Sequence, residues 1–336
     1  MPRLRRTSPQ DRGWTRRRSG GGFTYLDENG ERLPAEAVER IKALAIPPAW
    51  KDVWITPYPN GHLQAVGTDD AGRRQYLYHP QWRARRDALK FDRVLDFGAA
   101  LGLARPAILS ELALDGMPVN RACAAAVRML DIGCFRIGDD VYADKNGSFG
   151  LTTLERTHVR RSGDALVFRF RGKSGVNHSI EIADPGVVAA IESMRRRRDG
   201  EPALLAYRDA TGWRRLTATL VNDYVRASTG ANATAKDFRT WHATVLAATK
   251  LAERSLELDE RASATKKRKA VTATMRDVAS FLGNTPTMAR TSYVDPRVVS
   301  AFDEGRTIAE AVRLEHPDEI ARQTALEAAT LSLIRD

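Results

Sequence analysis

The chain of 336 residues carries 53 Lys and Arg against 42 Asp and Glu, a net charge of +11, with 43% hydrophobic and 28% charged residues. That length predicts two domains with chain enough for a real core, and that composition excludes a disordered or fibrous class. Apolar runs such as 122–127 fall far short of the ~20 residues that span a bilayer, and no apolar stretch follows the basic N-terminus, so neither a membrane span nor a secretory signal is expected.

Residues 1–20 hold seven Arg and one acid, which predicts a flexible basic arm over 1–21. A short helix is expected over 34–45, where Pro34 opens the first turn and Val38, Ile41 and Leu44 share a face. From Val53 to Tyr78 the period shifts to strands separated by turn chemistry at 57–61 and 69–72. These make a small antiparallel sheet, and residues 22–90 read as one β-rich domain. Beyond residue 90 the pattern turns helical, over 93–103, 107–114 and 120–132. A β-hairpin interrupts it, with strands 167–171 and 176–182 around Gly172-Lys173-Ser174-Gly175. The rest, from Pro185, reads as helices with loops near 199–212 and 229–232. Residues 91–336 form a mainly helical domain, and the fold class is α+β.

Charge points to a partner. With +6 on residues 1–20 and −4 on residues 301–336, residues 21–300 retain +9. A basic body attracts polyanions, and duplex DNA is the expected partner. Cys123 and Cys134 are too few for a disulfide framework, which fits a reducing, cytoplasmic setting.

Arg136, Lys173, Arg239, Asn284 and Tyr293 each sit at a motif: Cys134-Phe135-Arg136, the hairpin turn, Lys236-Asp237-Phe238-Arg239, Gly283-Asn284 and Ser292-Tyr293. At these residues, in this order and spacing, the sequence resembles the type IB DNA topoisomerases, in particular their compact poxvirus-like and bacterial branch. Segments 46–50, 61–65, 74–78 and 150–154 extend the likeness over about residues 22–310. The resemblance implies a fold of the tyrosine recombinase/topoisomerase IB type, with a catalytic set of two arginines, a lysine and a nucleophilic tyrosine. It gives Arg136, Lys173, Arg239 and Tyr293 those roles. Asn284 stands where the family usually has histidine, nine residues before the tyrosine.

The residue types suit phosphoryl transfer. Guanidiniums offer permanent forked charge to phosphate oxygens. A lysine on a hairpin can protonate a poor alkoxide leaving group, and an asparagine amide can donate to phosphate but cannot become cationic. There is no Walker motif, no Cys/His cluster and no carboxylate constellation, so neither nucleotide cofactor nor metal is expected. Arg73, Arg74, Gln75, Tyr76 and Tyr78, with Lys236, are the expected DNA contacts. The implied protein is a monomer that closes as a clamp on nucleoid DNA. A tyrosine recombinase and a non-enzymatic architectural DNA-binding protein are the alternatives. Lys236 replaces the His expected of a recombinase three residues before the second arginine, and an architectural protein has no use for the ordered set.

Overall fold

The computed structural model describes residues 3–138, 147–258 and 263–336. The chain divides into two compact units, residues 1–90 and 91–336. Among the described residues no helix is long and apolar enough to cross a membrane.

The first unit is an antiparallel sheet backed by one helix. Its strands are β1 (Trp14–Ser19), β2 (Gly22–Leu26), β3 (Lys51–Ile55), β4 (Leu63–Thr68) and β5 (Arg74–Tyr78), in spatial order β2-β1-β3-β4-β5. Helix α1 (Ala35–Ala43) follows Pro34 and buries Ile41 with Ile46, Val53, Ile55 and Ala65 in a small core, flanked by Trp14, Tyr25, Trp50 and Leu77.

The expected flexible arm over 1–21 is corrected here: residues 14–19 are a strand inside the sheet, pairing with β2 on one side and β3 on the other. Arg16 explains why so basic a segment folds. Its guanidinium donates to the carbonyls of Ile46, Pro47 and Trp50 at 3.2, 3.0 and 2.7 Å and stacks on Phe23. It therefore gives the Ile46 and Trp50 carbonyls a donor and adds a second to Pro47, which also accepts the Trp50 amide at 3.1 Å. Upstream, Arg5 bridges to Gly61, and buried Thr7 donates to the Leu63 carbonyl at 2.9 Å.

Helix α2 (Pro80–Leu112) is continuous through Pro106, where two helices had been expected. Then come α3 (Val119–Gly133), β6 (Val159–Ser162), β7 (Ala165–Arg171), β8 (Asn177–Ile182) and α4 (Pro185–Arg195). The expected loop over 199–212 contains a strand, β9 (Ala206–Asp209), which pairs with β10 (Gly212–Arg215) around a two-residue turn. Among the described residues seven helices follow: α5 (Ala218–Thr229), α6 (Ala235–Leu256), α7 (Ala264–Leu282), α8 (Pro286–Ser292), α9 (Pro296–Asp303), α10 (Ala309–Arg313) and α11 (Glu319–Arg335).

The helices carry their own start signals. Asp184, Thr217, Ser263, Thr285, Asp295 and Asp318 each accept a hydrogen bond from a first-turn amide. Thr234 and Asp237 form a capping box on α6. One continuous core joins α2, α3, α6, α7 and α9 to the three-stranded sheet β6-β7-β8, with Trp241, Phe97, Phe135, Phe168 and Phe238 fully buried.

Candidate active site

Four of the five expected site residues meet in the second unit. Arg136 follows the end of α3, which is capped by Cys134 in the left-handed region (φ 50°) before Phe135-Arg136. The backbone is then fixed from across: Leu151 and Thr152 donate their amides to the carbonyls of Arg136 and Ile137 at 2.7 and 2.8 Å. Gly150 permits this approach, since a Cβ there would lie 2.8 Å from the Arg136 carbonyl oxygen.

Arg239 projects from the second turn of α6 and is 4% exposed. Its guanidinium donates to the carbonyls of Cys134 and Leu282, the last residues before the turns that carry Phe135-Arg136 and Gly283-Asn284. One arginine thereby ties together two helix ends.

Helix α7 terminates at Gly283 in the left-handed region (φ 60°), and Asn284 follows. Thr285 caps α8, and Tyr293 is the residue at which that short helix ends. Thr244 on α6 anchors the far side: its hydroxyl accepts the Asp295 amide at 3.1 Å and lies 3.2 Å from the Tyr293 carbonyl.

At the centre, Arg136 donates one amine to Tyr293 Oη at 3.4 Å and the other to Asn284 Oδ1 at 2.7 Å. The Arg239 guanidinium carbon lies 5.7 Å from the centroid of the Tyr293 ring. Burial alone would push the Tyr293 phenol up, but the hydrogen bond and charge of Arg136, then Arg239 and Asn284, outweigh it and hold it below the ordinary tyrosine range. Among the described residues three buried donors at the site make no hydrogen bond: Arg136 Nε, Arg239 Nε and Asn284 Nδ2. Buried N–H groups left unpaired beside two fixed cations form a site built for an anion's oxygens.

Lys173 is not brought into this cluster. It sits exposed on the turn between β7 and β8, where Ser174 and Gly175 take positive φ, and its side chain meets no charged partner among the described residues. Lys236 is exposed on the first turn of α6.

The expected DNA contacts divide. Arg74, Tyr76 and Tyr78 alternate on the exposed face of β5, with the two tyrosine rings stacked at 6.3 Å. Gln75 points the other way and donates to Asp69 at 2.9 Å, as does Arg73. These bonds draw Asp69 down to about 2, the Arg73 backbone amide contributing most. The set therefore does not present one face.

His242, on α6 one turn beyond Arg239, is structural. Its Nε2 lies 3.1 Å from Asp131, in a buried network where Arg105 grips both Asp131 and Glu327. The sequence places His178 across the hairpin from Lys173 and offers it only a weak reading, a phosphate contact. In the structure it lies on β8 against Gly172 and Gly283, each directly preceding a site residue.

Comparison with known proteins adds to this geometry. The family described as eukaryotic DNA topoisomerase I, catalytic core, matches residues 79–311, and that described as bacterial DNA topoisomerase IB, N-terminal domain, matches residues 22–69. DNA topoisomerase 1B of Acanthamoeba polyphaga mimivirus is 30% identical over 232 residues, which is 68% of this chain and 69% of that protein. DNA topoisomerase 1B of Vaccinia virus (strain Copenhagen) is 32% identical over 121 residues, 35% of this chain and 37% of the relative. DNA topoisomerase I of Monkeypox virus is 32% identical over the same length.

Proposed function

The chain belongs to the type IB DNA topoisomerases, and from that premise we propose that it relaxes supercoiled duplex DNA by cutting and rejoining one strand through Tyr293. The phenol loses its proton to solvent, and Oη attacks the phosphorus of one phosphodiester. The bond to the 5′ oxygen breaks, leaving a 3′-phosphotyrosyl link and a free 5′-hydroxyl. Charge grows on the non-bridging oxygens as this happens, and Arg136, Arg239 and Asn284 supply fixed donors to them. Stabilisation of that kind is present before the reaction begins, so the step makes no demand for an obligatory metal.

Lys173 gives its proton to the departing 5′ oxygen. This role requires the exposed Lys173 side chain to turn toward the cluster once DNA is bound. The phosphotyrosyl ester retains the energy of the broken phosphodiester, so the 5′-hydroxyl attacks it in reverse without ATP. Between the two steps the free end swivels and torsion is lost. The protein acts as a monomer that closes as a clamp around nucleoid DNA in the cytoplasm. Arg74, Tyr76, Tyr78 and Lys236 are the contacts favoured by their exposure, while Arg73 and Gln75 act through Asp69 in shaping the strand.

The observation that carries this reading is the convergence of Arg136 on both Tyr293 Oη and Asn284, beside three buried donors that make no hydrogen bond among the described residues. The test is supercoiled plasmid incubated with the protein in EDTA and without ATP. Relaxation is expected, with covalent protein–DNA adduct trapped by detergent, and Tyr293→Phe should abolish both. A folded preparation that leaves linking number unchanged overturns the proposal, and so does relaxation that survives Tyr293→Phe. Dependence on paired target sites would point instead to a recombinase.

A further inference from the structure

The imidazole of His178 occupies a place that two glycines have been left open to make. A Cβ on Gly172 would lie 2.5 Å from its Cδ2 and 2.6 Å from its Nε2, and a Cβ on Gly283 would lie 2.9 Å from its Cε1. Gly172 immediately precedes Lys173, and Gly283 immediately precedes Asn284. The ring also stacks on Phe170 with centroids 5.2 Å apart, and Phe170 stacks on Phe135 at 5.9 Å. Phe135 immediately precedes Arg136. A single column of rings thus touches the backbone neighbour of three site residues.

We propose that His178 is a positioning residue, its ring wedged between the lysine turn and the asparagine corner so that Lys173 is held at a set distance from the phosphate bound by Asn284 and the arginines. No other side chain touches both turns in this way among the described glycine contacts. An exposed lysine on a two-strand hairpin has many orientations, and a flat ring seated against the preceding glycine removes some of them. Polar ring atoms suit the place better than a hydrocarbon, because the wedge borders the anion site. Burial first, and then the charges of Arg239 and Arg136, keep the imidazole below its ordinary titration range. It is therefore neutral at neutral pH and lies beside two guanidiniums without repelling them.

The inference rests on the reading of Lys173 as the proton donor, and the experiment separates the two. Single-turnover cleavage is measured on a DNA substrate with the ordinary 5′ oxygen leaving group and on one with sulfur in its place, which leaves without needing a proton. Misplacing a catalytic group by about 1 Å can cost about a hundredfold, so His178→Ala should slow cleavage of the oxygen substrate by about ten- to a hundredfold. On the sulfur substrate it should return to within about threefold of wild type, with DNA affinity and melting temperature unchanged. Lys173→Ala is run alongside. If sulfur does not rescue Lys173→Ala, the proton-donor reading fails. If it does, but His178→Ala is unimpaired or equally impaired on both substrates, the positioning role is overturned.

Gly172→Ala serves should His178→Ala fail to fold. The backbone at Gly172 is extended (φ −96°), so alanine is tolerated there and only the ring is displaced. It should reproduce the selective loss, and normal cleavage by this variant also overturns the proposal.

Discussion

Asn284 is where the chain departs from its family's usual histidine, and the geometry gives the amide a defined task. Its Oδ1 accepts from Arg136 at 2.7 Å, which orients Nδ2 as a free donor into the anion site. An imidazole can donate from the same corner, whereas an alanine leaves both Arg136 and the phosphate one bond short. Hydrogen bonds to charged groups contribute about 1.5–3 kcal/mol, so Asn284→Ala should slow single-turnover cleavage by about ten- to a hundredfold. Asn284→His should retain most of the rate. Unchanged cleavage by the alanine variant removes Asn284 from the site. The identity of these residues was legible in the sequence because order and spacing are properties of a chain. What could not be read there is which N–H groups remain unpaired, since that depends on where every neighbouring carbonyl falls. Arg239 shows the difference: its charge was plain, but its grip on the Cys134 and Leu282 carbonyls is visible only once two distant helix ends meet.

At the scale of elements, periodicity and turn chemistry located the β7–β8 hairpin and the small sheet well, because alternation and glycine-rich turns are local signals. They failed at β1, where Arg16, Arg17 and Arg18 imitate a solvated arm while one of them, Arg16, folds inward onto three carbonyls. Alternation itself turns Gln75 away from the face of Arg74, Tyr76 and Tyr78, and what could not be read locally is that Asp69 takes its amide there. The C-terminal helix α11 shows what a distant element contributes. Glu327 on α11 binds both amines of Arg105 on α2 at 2.7 and 2.8 Å, and Arg105 in turn binds Asp131 on α3. Burial pushes the Asp131 carboxyl up, but the hydrogen bonds from His242 and Arg105 prevail and hold it well below the usual carboxylate range. Its contribution is therefore present above the ordinary carboxylate pKa and is lost only as pH falls through the lowered value. Removing one partner strands a buried charge, so Glu327→Ala should cost about 3–5 kcal/mol in denaturant-induced unfolding of the second unit. A loss below about 1 kcal/mol would show that the network behaves as a surface pair.

For the molecule as a whole, the net charge of +11 has acquired an address. Residues 1–90 hold 17 Lys and Arg against 10 Asp and Glu, so most of the excess lies on the smaller unit. Arg17 and Arg18 are exposed on β1, within the segment that precedes the family match at residue 22. If the protein contacts about six phosphates, log affinity should fall against log salt with a slope near −5, and each arginine that leaves a phosphate should flatten it by about 1. Arg17→Ala with Arg18→Ala is thus expected to flatten the slope while leaving the melting temperature intact, and an unchanged slope would place both arginines off the DNA. The same strand decides where the chain can be cut. Because β1 lies between β2 and β3, a version trimmed to begin at residue 22 would strip β3 of its neighbour and leave a row of bare amides and carbonyls along it. Such an edge recruits other chains. For anyone preparing the protein, residues 14–19 are sheet rather than handle, and affinity tags and fusions belong ahead of them.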